Sequence, residues 1–404
     1  MLMTSKHKQT SFDYVQDKNT PLKPHTSPLL GKRKVFVGMS GGVDSSVAAA
    51  LLKKAGYDVT GVFIKVWHPD FLPCDWQEER RDAMRVCAVL NIPFLTFNFE
   101  EEYKRDVIDY MLLEYKRGKT PNPDVMCNRY IKFGFFLKKA LAMGADFIAT
   151  GHYAIREVRH EKKKEIYVLR ESKDKEKEQS YFLWTLRQEE LARSLFPIGN
   201  LEKKEVRNLA KKFNLPTAEK KDSQGLCFLG KIDFRDFLKV YLPEKMGNVV
   251  NLRGEIIGTH EGVHFYTVGQ RHGFIVTKKG INEKALYVVG KDIAKNILVV
   301  SPKEELEYRA MQTKKITLFD LNWISGKKLE NSLHCFARFR YHQSPKKVHV
   351  YKDGRFTTAE FEMPQEGVSS GQSLVFYDAE GVTLGGGIIE FIEFIETVIR
   401  PHRV

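Results

Sequence analysis

Residues 34–47 read Lys34-Val-Phe-Val-Gly-Met-Ser-Gly-Gly-Val-Asp-Ser-Ser-Val47, and the rest of the chain is organised around them. Val35, Phe36 and Val37 have strand character and run into Ser40-Gly41-Gly42. From Val43 to Lys54 the good helix formers Ala48, Ala49, Ala50, Leu51 and Leu52 predict a helix, with Gly56 just past its end. A strand, a glycine turn and a helix start make an anion site, because unpaired N–H groups and the positive end of the helix dipole converge there. The glycines let backbone approach a phosphate closely. Asp44 and Ser45 are placed to hold Mg²⁺ or to bond phosphate oxygens.

No Gly-Lys-Ser/Thr closes this loop, so it is not a Walker loop. Ser40-Gly-Gly-Val-Asp-Ser-Ser46 resembles instead the pyrophosphate loop of enzymes that cut ATP between its α- and β-phosphates to adenylate a substrate. A Gly-Ser turn ahead of a buried helix is the plainer alternative, but so long a run with the right flanks is hard to reach by accident.

The 404 residues suffice for two or three domains. Lys and Arg number 65 against 51 Asp and Glu, a net charge of +14 that suits a polyanionic partner, nucleic acid above all, or else a basic solvated surface. No apolar run approaches the roughly 18–20 residues of a membrane span, so a soluble protein is expected. Asp13, Asp17 and the absence of arginine before Arg33 weigh against a mitochondrial transit peptide and favour a cytoplasmic protein. The five cysteines, scattered and without a Cys-x-x-Cys pair, speak against a secreted disulfide scaffold and against a zinc ribbon.

Working outward, Val59–Trp67 and Ile92–Phe99 predict strands, while 78–90, Glu100–Lys116 and Arg129–Met143 predict helices; Phe147-Ile-Ala-Thr then leads into Gly151-His152. This alternation implies a doubly wound parallel sheet with its ligand crevice at the strand C-termini. The charge-rich stretch 156–178 reads as a solvated hairpin or loop, and two amphipathic helices are expected between Gln188 and Phe213. Past residue 230 short, glycine-punctuated β runs take over, and beyond about 308 they suggest an antiparallel barrel or sandwich. The expected division is a flexible tail (1–32), an α/β catalytic domain (33–229), a small central domain (230–307) and a C-terminal β-barrel (308–404).

Two cysteines stand in polar surroundings. Cys127 follows Thr120-Pro-Asn-Pro-Asp-Val-Met, a loop stiffened by two prolines, with Asp124 three residues before it and Lys132 beyond. A helix start and nearby positive charge favour thiolate, and Asp124 is a candidate proton shuttle. A cysteine near a helix start is more often structural, so the residues alone leave Cys127 open. Cys227 follows Lys220-Lys-Asp-Ser-Gln-Gly-Leu, again electropositive. Cys87 lies on an apolar helix face and reads as a small buried hydrophobe, and neither Cys74 nor Cys335 has an evident partner.

Met39–Ser46, Thr120–Asn128, Ala149–Tyr153, Gln179–Leu183 and Lys221–Cys227 together resemble the tRNA-specific 2-thiouridylase family. Thr267–Gly273, Tyr287-Val-Val, Ala337–Tyr341 and Leu384–Ile388 continue the likeness in order, over roughly residues 33–392. The lack of a Walker lysine carries the expectation that Mg²⁺ is required, and the resemblance implies an enzyme that uses ATP to adenylate O2 of the wobble uridine and replace it with sulfur. It further implies that Gly38, Met39, Ser40, Gly41, Gly42, Val43, Asp44, Ser45, Ile64 and Gly151 bind ATP, and that Asn122, Pro123 and Asp124 meet the target base. Lys177, Glu178, Gln179, Arg340 and Tyr341 would touch tRNA at its anticodon loop. Cys227 would take sulfur as a persulfide from a sulfur carrier or cysteine desulfurase, with Cys127 as partner thiol and a Cys127–Cys227 disulfide as product. Glu178 stands where the family usually has Asp, Gln224 where it has Thr, and His272 and His342 replace basic residues. These departures bear on fine RNA contacts.

The chemistry asks for the same parts. O2 of uridine is a poor leaving group until adenylation converts it to AMP, and a second thiol completes sulfur transfer from a persulfide. The basic surface expected to carry the tRNA comprises Arg129 to Lys139, Lys203-Lys204, Lys211-Lys212 and the strand with Arg338, Arg340 and Tyr341. Two rival readings share features with this one. An amidating ligase explains the loop but gives two cysteines in polar loops no work, and a non-catalytic RNA-binding protein has no need of an intact loop with both.

Overall fold

Period-two burial in the first strand sets the layering. Strand β1 (Lys34–Gly38) sends Val35 and Val37 into the core on one face of a sheet and Phe36 into the core on the other. The computed structural model describes residues 32–71, 76–161, 164–222, 234–277, 285–302, 312–327 and 329–394. With β2 (Asp58–Lys65), β3 (Phe94–Asn98), β4 (Phe147–Ala149) and a short strand Ser194–Leu195, β1 forms an all-parallel sheet. Its order is β3-β2-β1-β4 and then Ser194–Leu195. Helices Val43–Lys54, Trp76–Val89 and Lys203–Lys212 cover the Val35 face; helices 100–116 and 123–142 cover the Phe36 face. The sheet is doubly wound, and the chain leaving β1 emerges at the switch point, with β2 on one side and β4 on the other.

Between β4 and Ser194–Leu195 stands a hairpin, β5 (Ala154–Glu161) with β6 (Lys164–Glu171). The charge of this stretch predicts a solvated hairpin or loop. Its outer end is exposed, but Val168 and Leu169 are buried, and β6 pairs with the last strand of the C-terminal barrel at Thr383↔Leu169 and Val382↔Arg170. A strand edge with an apolar end finds backbone partners rather than water. The charge-rich stretch therefore joins the first domain to the last. In 188–213 the two expected helices are Gln188–Ala192 and Lys203–Lys212, with the short strand Ser194–Leu195 between them.

Helix Phe234–Tyr241 opens the central domain, whose sheet contains β8 (Gly247–Val250), β9 (Ile256–His260), β10 (Ile275–Val276), β11 (Leu286–Asp292) and β12 (Ile297–Pro302), where β7 denotes Ser194–Leu195. The last six strands are β13 (Thr313–Trp323), β14 (Ser332–Arg338), β15 (Lys346–Asp353), β16 (Phe356–Gln365), β17 (Ser373–Tyr377) and β18 (Val382–Phe394). They run in the order β13-β16-β15-β14-β17-β18, and β13 pairs with β18 to close an antiparallel barrel, as the sequence reading expects. Its core holds Phe339, Phe361 and Phe376, all nearly sealed from water. Truncating any one to Ala is expected to cost about 3–5 kcal/mol.

Candidate active site

The turn after β1 is held by its own serines. Ser45 donates to Gly42 O (3.2 Å) and accepts from Ser40 N (3.2 Å), while Ser46 donates to Gly42 O (2.7 Å) and accepts from Thr217 (3.0 Å). Gly41 has φ +73°, and a Cβ there would stand 2.5 Å from Glu79 O, so nothing larger fits without moving helix Trp76–Val89. Gly151, arriving from β4, crosses the helix start so closely that a Cβ would lie 2.6 Å from Ser45 N. The first N–H groups of helix Val43–Lys54 have no acceptors within the helix, which suits phosphate. Met39 is buried and donates its N–H to Val62 O (2.8 Å). Half-buried Ile64 sits further along β2, paired in register with Phe97 of β3.

Asp44 faces a network that sequence reading did not assemble. Its carboxylate accepts from Tyr153 Oη (2.8 Å) and, through both oxygens, from Lys203 Nζ (2.8 Å each). The same ammonium reaches Asp222 (2.9 Å), which also binds Lys177 (2.9 Å) and Arg207 (2.8 Å). Burial works to raise the Asp222 carboxyl, but hydrogen bonds from Lys177 and Lys203 outweigh it and bring it down to about 2. Burial, and then Asp44, push the Tyr153 phenol up, so it stays a donor. Lys203, expected on an RNA-facing surface, has a side chain only 14% exposed and belongs to the nucleotide loop. The signal lay in the sequence as Glu202-Lys203-Lys204-Glu205, where the Glu202 and Glu205 capping box fixes the helix start and thereby aims Lys203.

The helix carrying Cys127 starts earlier than expected. Asn122 caps it by accepting from Val125 N (3.3 Å), and Pro123 occupies the first turn. Asn followed by Pro and Asp is a helix-start signal, which the sequence reading treated as loop. Cys127 thus lies one turn inside the helix, 5% exposed, where a stretch of wider turns (Cys127–Phe136) begins. Less of the terminal dipole acts on it than the reading assumed. Burial raises the half-buried Asp124 carboxyl, and the Lys132 charge partly opposes this. His152 is buried with Nδ1 2.7 Å from the Thr150 hydroxyl; burial, with Lys132 adding to it, holds its pKa well below the usual range and keeps it neutral. The helix touches the loop's surroundings at two points: Phe136 against Gly38, and Phe133 with its ring 5.8 Å from His152. Gly151-His152 therefore links the nucleotide loop to the helix of Asp124 and Cys127.

The residues implied for tRNA divide. Lys177 is paired with Asp222, and Gln179 accepts from Tyr153 N (3.0 Å). Glu178 is 3% exposed, accepts from Ser180 N and pairs with Arg338 (3.2 Å), which also binds Glu171 (2.6 Å). Burial raises the Glu178 carboxyl. Arg129 pairs with Asp320. Arg340 is exposed, and its Nη2 donates to Val268 O (3.1 Å) and Gly367 O (2.6 Å), bridging the central domain and the barrel. Tyr341 packs 4.6 Å from Phe182 and 3.8 Å from His342, and burial pushes its phenol up to about 12. Asn128 donates to Phe182 O (3.1 Å), so this aromatic group stands beside the Cys127 helix. Cys227 lies outside the described residues, as does Cys74. Cys87 and Cys335 are buried thiols pushed up to about 11 and about 12, so neither is thiolate at neutral pH.

A parallel sheet with a serine-glycine loop at its switch point, followed by a small mixed sheet and a closed barrel, defines a three-part nucleotide-binding enzyme of the HUP class. Residues 33–231 match a family model described as "tRNA methyl transferase HUP domain", 235–302 one described as "tRNA methyl transferase PRC-barrel domain", and 313–389 one described as "Aminomethyltransferase beta-barrel domain". The chain is 46% identical over 362 residues to the tRNA-specific 2-thiouridylase MnmA of Oceanobacillus iheyensis, covering 89% of this chain and 95% of that one. It is 45% identical over 361 residues to the protein of the same name from Geobacillus thermodenitrificans, covering 88% and 94%. The chain belongs to the tRNA-specific 2-thiouridylase family. Two of the domain models speak of methyl transfer, but the relatives that match across 88–89% of this chain are named 2-thiouridylases, and the longer match decides between the two.

Proposed function

We infer that the protein is an ATP-dependent tRNA sulfurtransferase that converts the wobble uridine to 2-thiouridine, releasing AMP and pyrophosphate. The observation that carries this reading is the junction at Gly151-His152, which brings the serine-glycine loop and the Asp124–Cys127 helix to one edge of the sheet. Helix-start N–H groups and Ser45 would receive the phosphates. The oxygen donors of Asp44 and Ser45 suit a hard cation, and Asp44 already accepts a positive group, the Lys203 ammonium. Asp44 would thus hold Mg²⁺ with the nucleotide, the metal supplying neutralisation of phosphate charge.

Burial favours the protonated form of Asp124 against the opposing charge of Lys132, and this carboxyl would exchange a proton with a base held by Asn122 and Pro123. Adenylation puts AMP on O2. A Cys227 persulfide attacks C2 and AMP leaves with the C2–O2 bond. The Cys127 thiolate then attacks Cys227 Sγ, so the S–S bond breaks, sulfur stays on the base and a Cys127–Cys227 disulfide forms. A thiol reductant reopens it, and a persulfide-donating carrier or desulfurase reloads Cys227. Phe182 and Tyr341 offer stacking faces for an unstacked anticodon base beside this helix. Among the described residues no helix is long and apolar enough to cross a membrane. A cytoplasmic setting, where tRNA is found, is part of the same reading. Product analysis with radiolabelled ATP tests it: pyrophosphate release needs tRNA, AMP release needs sulfur transfer as well, and ADP as the main product excludes adenylation.

A further inference from the structure

The central domain has no part in the chemistry above, yet it grips the segment that leads into the base site. Lys291, at the end of β11, donates to Tyr266 O of its own domain (2.7 Å) and across the boundary to Gly118 O (2.5 Å). Among the described residues no carboxylate pairs with it, and burial brings its ammonium down to about 8. Lys291 is half-buried, and its two carbonyl acceptors offset the loss of water around its ammonium. Gly118 has φ +76° and lies flat against Ile293, where a Cβ would come within 2.2 Å of Cδ1.

Two residues on, every polar group of Thr120 is taken by another domain. Its N–H donates to Ser370 O (2.8 Å), its carbonyl accepts from Gln372 Nε2 (2.7 Å), and its hydroxyl meets that of Thr267 (3.2 Å). Gly371, at φ +90°, packs so closely that a Cβ would stand 3.0 Å from Thr120 backbone. Pro121 and Pro123 follow, each with φ fixed by its ring, and Asn122 caps the helix that carries Asp124 and Cys127. A stiff segment passes a displacement at 118–120 on to Asn122 and Asp124 instead of absorbing it.

We propose that Lys291 is a positioning residue for sulfur transfer, acting with Thr267 through Gly118 and Thr120 to fix where Asn122 and Asp124 stand. The central domain, through Lys291 and Thr267, then shares with the barrel residues Ser370 and Gln372 the setting of the register of the base site. This rests on the reading of Asp124 as a base-site residue. A misplacement of about 1 Å in such a site costs on the order of a hundredfold in rate, with binding much less affected.

The test is single-turnover thiolation by the full chain at saturating ATP and tRNA, comparing Lys291→Met, Thr267→Val and their double variant with Asp124→Asn. Lys291→Met should slow the saturated rate about tenfold or more while the KM values for ATP and tRNA stay within about twofold. The double variant should lose no more than about the Lys291→Met variant, because both act through one segment. A wild-type rate for Lys291→Met with Asp124→Asn inactive overturns the proposal and leaves the base-site reading standing. An active Asp124→Asn removes that reading and the proposal with it. Should Lys291→Met fail to fold, Thr267→Val alone decides: a slowed rate at unchanged KM supports positioning, and a wild-type rate refutes it.

Discussion

Replacing Lys203 by Met separates two accounts of this residue. Its ammonium bridges Asp44 (2.8 Å) and Asp222 (2.9 Å), and its side chain is 14% exposed while each carboxylate is 31% exposed. At an effective dielectric of about 20, unit charges roughly 3–4 Å apart attract by about 4–5 kcal/mol. Taking the ammonium out of water offsets much of that for each pair. Deleting one member of a buried pair costs about 3–5 kcal/mol, and partial exposure of the carboxylates reduces this to about 2. Among the described residues Asp222 keeps Lys177 and Arg207, whereas Asp44 keeps the Tyr153 hydroxyl, so the loss falls chiefly on the nucleotide loop. For a domain of this size that corresponds to a fall in melting temperature of about 4–8 °C. Scanning calorimetry of the Lys203→Met variant without nucleotide reads it directly, with filter binding of tRNA alongside. A melting temperature within 1 °C of wild type, coupled to weaker tRNA binding, would refute the loop account and return Lys203 to the RNA surface.

Three further outcomes follow from the same contacts. Gly151→Ala puts a Cβ 2.6 Å from Ser45 N and should lower ATP affinity at least tenfold by titration calorimetry, even though no positive φ is needed there. Cys127→Ser and Cys227→Ser should each abolish 2-thiouridine formation, whereas Cys87→Ser and Cys335→Ser should keep the chemistry, since burial holds those thiols protonated; mass spectrometry of the tRNA product distinguishes the two groups. Asp222 titrates at about 2 when folded and near 3.9 when unfolded, so its stabilisation is complete above about pH 4 and is lost as pH falls through 2. Urea titrations should find Asp222→Asn less stable than wild type by on the order of 1 kcal/mol at pH 7, a gap that narrows below pH 4.

Much of the fold was legible because it rests on local rules. Alternation of Val35, Phe36 and Val37 and the glycine entry at Gly42 mark a parallel-sheet nucleotide domain, and the β runs after residue 308 mark an antiparallel barrel or sandwich, which the β13–β18 pairing closes as a barrel. What stayed hidden depends on contacts far apart in sequence. The β6–β18 pairing spans more than two hundred residues and uses backbone groups that carry no sequence signature. Lys203 looks like any surface lysine until the fold sets Asp44 and Asp222 around it. Arg338 sits in a basic cluster by sequence, but Glu171 and Glu178 are its partners. The helix start at Asn122-Pro123 has a local signal, but two prolines within three residues also fit a rigid loop, and the two readings are separated only by the Asn122 cap on Val125 N.

Incubation of the full chain with unmodified tRNA, ATP, Mg²⁺ and a persulfide donor, followed by nucleoside mass spectrometry and AMP quantitation, tests the central claim most directly. The account predicts 2-thiouridine at the wobble position with one AMP formed per sulfur inserted. Thiolation that proceeds without ATP, or ATP cleavage that yields ADP and leaves the wobble uridine unchanged, would contradict it.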